Sequence, residues 1–189
     1  MRIPTPLAPS FVAALSLLAA AAGAEVGQLA PNGFLVRHEA TVAAPPEKVW
    51  SALVDQVGAW WHPDHTWSGE PANLSIVARP GGCFCEKLPD GGGVEHLRVV
   101  YVVPGEKLRM EGALGPLQAS GLAGSLTFEM GPTDGGTTLI LTYSVGGFVE
   151  MGTGALAPIV DRVLGEQLSR LAAYAETGSP ALPVPAPKP

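Results

Sequence analysis

Two histidines and three tryptophans stand within twelve residues in "GAWWHPDHTWSG", Gly58 to Gly69. His62 and His65 are three positions apart with Asp64 between them. Such a set could hold a metal ion or serve as acid and base, the carboxylate orienting one ring. Pro63 denies the pair a shared helical face, so a loop must bring the rings together. The competing reading is a polar loop at a pocket rim, with Trp60, Trp61 and Trp67 turned inward. A second candidate is "CFC", Cys83 to Cys85. In a strand both thiols point to one side and Phe84 to the other. Their Cα atoms would then sit about 6.6 Å apart, so a disulfide requires a bulge or a twisted edge. Small apolar cysteines, a disulfide, and a metal or redox pair assisted by His62, His65 or His96 all remain open.

Glu86, Glu95, His96 and Arg98 form a third polar group on neighbouring predicted strands. Glu95 and His96 point to opposite faces. If Glu86 or His96 faces the interior, desolvation displaces its pKa, as acid–base catalysts exploit. Tyr101 and Tyr143 could each offer a hydroxyl to a ligand or contribute only packed rings. No phosphate-cradling loop, nucleophile elbow or paired-histidine zinc helix is written in the chain.

The elements that must position these residues follow from periodicity. "FLVRHEATV", Phe34 to Val42, reads as a strand whose alternation is imperfect. Pro45 and Pro46 then open a helix with Val49, Trp50, Leu53 and Val57 at helical spacing, and Gly58 ends it. A short helical turn over Ala59 to His62 is expected next. Glycine- and proline-punctuated strands follow at Leu74–Ala78, Cys83–Leu88, Val94–Val103, Lys107–Glu111, around Leu126–Met130, and Thr137–Val145. Short turns between them imply an antiparallel meander. The last element is a helix over about Gly154 to Glu176, with Leu156, Val160, Val163, Leu164, Leu168 and Leu171 in one stripe. The class is α+β, with one long helix covering the apolar face of about six to seven strands.

At the N-terminus, Arg2, the apolar run Phe11 to Ala22 and the small residues Ala22-Gly23-Ala24 have the layout of a secretory signal peptide over residues 1–24. The run is shorter than the roughly twenty residues needed to span a bilayer. Residues 25–32 read as a linker, 33–177 as the folded domain, and the Pro-rich 178–189 as an extended, disordered tail. Without the leader, 10 basic side chains face 17 acidic ones, a net charge of −7. That balance disfavours nucleic acid, which is bound through many Lys and Arg contacts. The protein is expected to be secreted or periplasmic, with no stable membrane insertion once the leader is removed.

The chain resembles the START-like, or SRPBCC, superfamily, with its birch-pollen-allergen-type helix-grip fold. The residues carrying this resemblance are "TVAAPPEKVWSALVD" (Thr41 to Asp55), the Trp60–Trp61 pair, "ARPGGCFCE" (Ala78 to Glu86) and "GGTTLILTYSVGG" (Gly135 to Gly147). The likeness is nearest to polyketide cyclase and heat-shock ATPase activator homologues. It implies a curved sheet gripping the terminal helix around an apolar cavity, and no universal catalytic set. The expected function is to bind a small apolar or lipid-like ligand. Its walls would be Trp60, Trp61, Trp67, Cys83, Cys85, Tyr101, Phe128, Tyr143, Phe148, Leu164 and Leu168, with His62, Asp64, His65 and His96 as a possible polar site. One alternative is a cyclase or dehydratase needing no cofactor, with His62, Asp64, His65 or Tyr143 as acid and base. Another is a metal or redox protein built on Cys83 and Cys85.

Overall fold

The structure is a computed structural model whose described residues are 25–181. The expected leader, and the tail from residue 182 onward, lie outside the described residues. A hairpin of β1 (Glu25–Ala30) and β2 (Gly33–Val42) comes first. Next come helix α1 (Pro46–Asp55) and the single turn α2 (Val57–Trp60). Six strands then run as a meander: β3 (Leu74–Ile76), β4 (Cys83–Lys87), β5 (Gly93–Val103), β6 (Lys107–Gly112), β7 (Ala123–Thr133) and β8 (Gly136–Gly146). Helix α3 (Thr153–Thr177) closes the domain. The strands form one antiparallel sheet in the order β1-β2-β8-β7-β6-β5-β4-β3, so β8 returns to lie beside β2. This is the helix-grip architecture. The expected linker supplies its eighth strand, since Glu25–Ala30 pairs with β2.

Strand alternation accounts for the buried face. Leu126, Phe128 and Met130 of β7 stand opposite Tyr143, Leu141 and Leu139 of β8, and all six are buried. In β2 the inward set is Phe34, Val36, His38, Ala40 and Val42. The imperfect pattern there is therefore regular, with a histidine at a core position. Leu156, Val160, Leu164, Leu168 and Leu171 of α3 complete a single apolar cluster with these strands. Gly178 ends α3 in the left-handed conformation, its N–H donating to Tyr174 O. Among the described residues no helix is long and apolar enough to cross a membrane.

Two bulges in β5 change which side chains face inward. Phe84 pairs with Leu97 and Cys85 with Glu95, leaving His96 as an extra residue, so His96 and Leu97 are both buried. Further along, Val99 pairs with Met110 and Tyr101 with Arg109, leaving Val100 extra. The second bulge turns Tyr101 to the outer face, where it is 46% exposed and lies under the Arg109 guanidinium.

The helix is keyed to the sheet at His38. Nε2 of this buried ring lies 3.0 Å from both the carbonyl oxygen and Oδ1 of Asp161 on α3. The ring sits against Gly165, where an added Cβ would come 2.8 Å from His38 Cε1. Alanine is the better helix former by about 1 kcal/mol, but here it would collide with a ring whose Nε2 is already tied to Asp161 one turn away. Gly165→Ala is expected to destabilise the fold by about 1–3 kcal/mol, read as a lower denaturation midpoint. A rise in that midpoint would show that the helix is free to shift over the sheet.

Candidate functional site

The segment from Trp60 to Ser68 is fastened on both sides. On the α3 side, Arg170 Nε donates to Trp60 O at 2.7 Å, and His62 N donates to Gln167 Oε1 at 2.9 Å. Within the segment, Pro63–His65 forms a 3-10 turn, with Asp64 N donating to His62 Nδ1 and Trp61 Nε1 donating to His65 O. Trp60 Nε1 donates back to Ala52 O of α1. The two indoles enter the core, Trp61 packing edge-on against Phe84 with ring centroids 5.1 Å apart.

On the sheet side the segment ends on a buried carboxylate. Glu86 accepts N–H donors from Trp67 at 3.1 Å and Ser68 at 2.6 Å, and His96 Nε2 lies 2.9 Å from its Oε2. Burial alone would raise the Glu86 pKa. The hydrogen bonds from Ser68, Trp67 and His96 outweigh it and hold the carboxyl below its ordinary value of 4.5. The carboxylate is therefore ionised, and the histidine nitrogen facing it is the donor. The pair itself is withdrawn from solvent, the side chains of Glu86 and His96 being 0% and 5% exposed. The pair holds the segment in place.

The polar edge of the segment is more open. His62 Nε2 and His65 Nε2 each lie 3.6 Å from one carboxylate oxygen of Glu166, and all three side chains are partly exposed. Asp64 points away, 82% exposed, with its carboxylate 3.8 Å from His62 Nδ1. Directly beneath, Gln167 is buried and its Nε2 has no hydrogen-bond partner. An amide donor left unpaired in an apolar interior is costly, by about 1–3 kcal/mol, and calls for an acceptor.

The remaining expected residues separate by burial. Trp60, Trp61, Phe128, Tyr143, Leu164 and Leu168 lie in the apolar cluster. Three expected ligand walls do not face inward. Trp67 is 56% exposed because its backbone is committed to Glu86, and Tyr101 was turned out by the bulge. Phe148, 77% exposed, follows Gly147, whose φ of +128° takes the chain off the sheet. Cys83 and Cys85 also leave the inner wall, because Phe84 and Glu86 occupy the inward positions of β4. The cysteines form a disulfide on the outer face, their Cα atoms 5.4 Å apart next to the β5 bulge. Tyr143 Oη donates to Gly112 O and accepts from Leu114 N, and burial pushes its pKa up to about 12. That hydroxyl is fixed to backbone and is no acid or base for a substrate. Gln167, Glu166 and His38 are the residues that sequence reasoning missed. A glutamine three positions from Leu164 inside the leucine stripe was the available signal.

Described clefts lie at the margins of the apolar cluster. One of about 650 Å³ runs along β1, β2 and β8, lined by Leu29, Phe34 and Ser144 among others. Another of about 450 Å³ separates α1 and α2 from β3.

Sheet, long helix and inserted short helices define a helix-grip domain with an apolar interior. The sequence matches the family described as polyketide cyclase / dehydrase and lipid transport over residues 34–176, and the chain belongs to that family. Solved structures agree at the level of the fold. The conserved protein of unknown function EF2215 from Enterococcus faecalis superposes with a TM-score of 0.58 at 18% identity, covering 84% of this chain and 80% of that one. For Aha1 from Colwellia psychrerythraea, solved as a dimer, the values are 0.54, 20%, 76% and 97%. For CalU16 from Micromonospora echinospora they are 0.52, 17%, 81% and 78%. No curated protein matches the sequence significantly.

Glu86→Gln should lower stability by about 1–3 kcal/mol at neutral pH, because the amide repels one of the donors it replaces an acceptor for. The folded-state pKa of Glu86 is depressed, so its contribution is complete above 4.5 and is lost as pH falls through the folded value. The gap between the denaturation midpoints of the wild type and the variant should therefore close in acid. A gap independent of pH would remove the ionised carboxylate from the account.

Proposed function

We propose that this chain is an exported protein that takes up a small, largely apolar molecule of lipid or lipid-derived class. The molecule would lie between α3 and the sheet beside the Trp60–Ser68 segment. The observation that carries this reading is Gln167 Nε2, a buried donor with no partner at the edge of an otherwise apolar interior. A ligand with an apolar body and one carbonyl or hydroxyl oxygen answers both needs. Its body displaces water from apolar surface, at about 25 cal/mol per Å², and its oxygen accepts from Gln167. His62, His65 and Glu166 stand at the rim, partly in water, where they would meet the polar end of such a molecule. The description of the family, which includes lipid transport, points the same way.

Two features support export. The leader-like residues 1–24 precede a strand that begins at Glu25. The Cys83–Cys85 disulfide suits an oxidising compartment.

Prodan, an uncharged naphthyl ketone whose emission shifts to the blue in apolar surroundings, tests the binding reading. Saturable binding to the purified chain is expected, weakened about two- to tenfold in Gln167→Leu by loss of one hydrogen bond. Native mass spectra of freshly purified protein should also carry an apolar adduct. The absence of both saturable binding and an adduct would overturn the reading. Export is checked separately by the N-terminus of the chain recovered from its native host, which should be Glu25.

A further inference from the structure

We infer that the Cys83–Cys85 disulfide is a reversible redox couple open to thiol–disulfide exchange with a dithiol partner, rather than a structural staple. The first reason is the size of the loop it closes. With a sequence separation of 2, the cross-link removes little chain entropy from the unfolded state, and short loops gain least from such links. The second is redundancy. β4 is hydrogen-bonded to β3 through Leu74–Ile76 and to β5 through Gly93–Arg98, so both cysteine backbones are held without the sulfurs. The third is position. Both cysteines are half-buried on the outer face of the sheet, outside the apolar cluster.

Their surroundings are charged. Arg98 stands directly across from Cys83 and Glu95 directly across from Cys85, both exposed and joined by a 2.8 Å ion pair. A Glu95 carboxylate oxygen lies within 4.8 Å of both sulfurs. A guanidinium beside a sulfur favours the thiolate and a carboxylate opposes it, so this pair of charges sets how readily the couple opens.

A thiolate of the dithiol attacks one protein sulfur, the Cys83–Cys85 bond breaks, and a mixed disulfide forms as the other cysteine leaves as thiolate. The second thiol of the partner, once deprotonated, attacks the mixed disulfide, expels the remaining cysteine and closes a disulfide in the partner. Two electrons pass to the protein, and the two protons of the dithiol end on Cys83 and Cys85. Phe84, between them, has its ring on the inner face against Trp61 and His96, each at 5.1 Å.

The test uses dithiothreitol on the folded full chain, with thiols counted by maleimide labelling and intact mass. Two labels are expected without denaturant, reversed on reoxidation, with the melting temperature moved by less than about 5 °C. Glu95→Gln should be reduced several-fold faster than the wild type and Arg98→Gln several-fold slower. The Cys83→Ser/Cys85→Ser double variant should melt within the same narrow range. A disulfide that opens only in denaturant, or a double variant that fails to fold, would make it a staple and overturn the proposal. Equal reduction rates in both charge variants would overturn the role given to Arg98 and Glu95.

Discussion

An antiparallel sheet with one apolar face cannot stand uncovered in water, and that constraint organises this molecule. Eight strands present Phe34, Leu97, Leu108, Phe128, Leu141 and their neighbours on one side. A single helix cannot shield so wide a surface. α3 packs mainly on β2 and β1, while α1, α2 and the Trp60–Ser68 segment cover the β3 side. The Trp60–Ser68 segment is thus part of the cover, and Trp60 and Trp61 are core residues first.

Covering a sheet with irregular chain brings backbone N–H groups and polar side chains to the edge of an apolar interior, where each needs a partner. The structure meets that need with side chains of opposite kind. Glu86 accepts the N–H groups of Trp67 and Ser68, Gln167 accepts that of His62, and Arg170 donates to the carbonyl of Trp60. Among the described residues the one buried amide donor left over belongs to Gln167, and the functional reading follows from that surplus. Buried polar atoms are more informative here than the aromatic residues, which pack much as any core does.

The regular parts of the fold were legible in the sequence because their periodicity is undisturbed. β7 and β8 alternate without interruption, and the leucine stripe of α3 is long enough to be unmistakable. β1 was missed because "EVGQLA" carries a glycine and a glutamine and only a bulged pairing to β2. The inward face of β2 was obscured by His38, whose place in the core depends on Asp161 and Gly165 more than a hundred residues away. The outward turn of Tyr101 and the inward turn of His96 depend on extra residues in β5, and a bulge is set by pairing with a neighbour rather than by local composition. The disulfide was readable as a possibility whose condition, a nearby bulge, only the fold could supply. The Gln167–His62 contact joins residues 105 apart, and no local pattern foretells it.

The helix is secured along its whole length. Thr153 Oγ1 donates to Ala30 O at its start, Asp161 meets His38 midway, and near its end Glu176 Oε1 accepts from Ala43 N while its carbonyl accepts from Lys48 Nζ. A rod tied at three stations can neither slide nor pivot without breaking several bonds together. The same rod also holds the Trp60–Ser68 segment, through Gln167 and Arg170, and Glu86 joins that segment to the sheet, so helix, cover and sheet form one cross-linked frame.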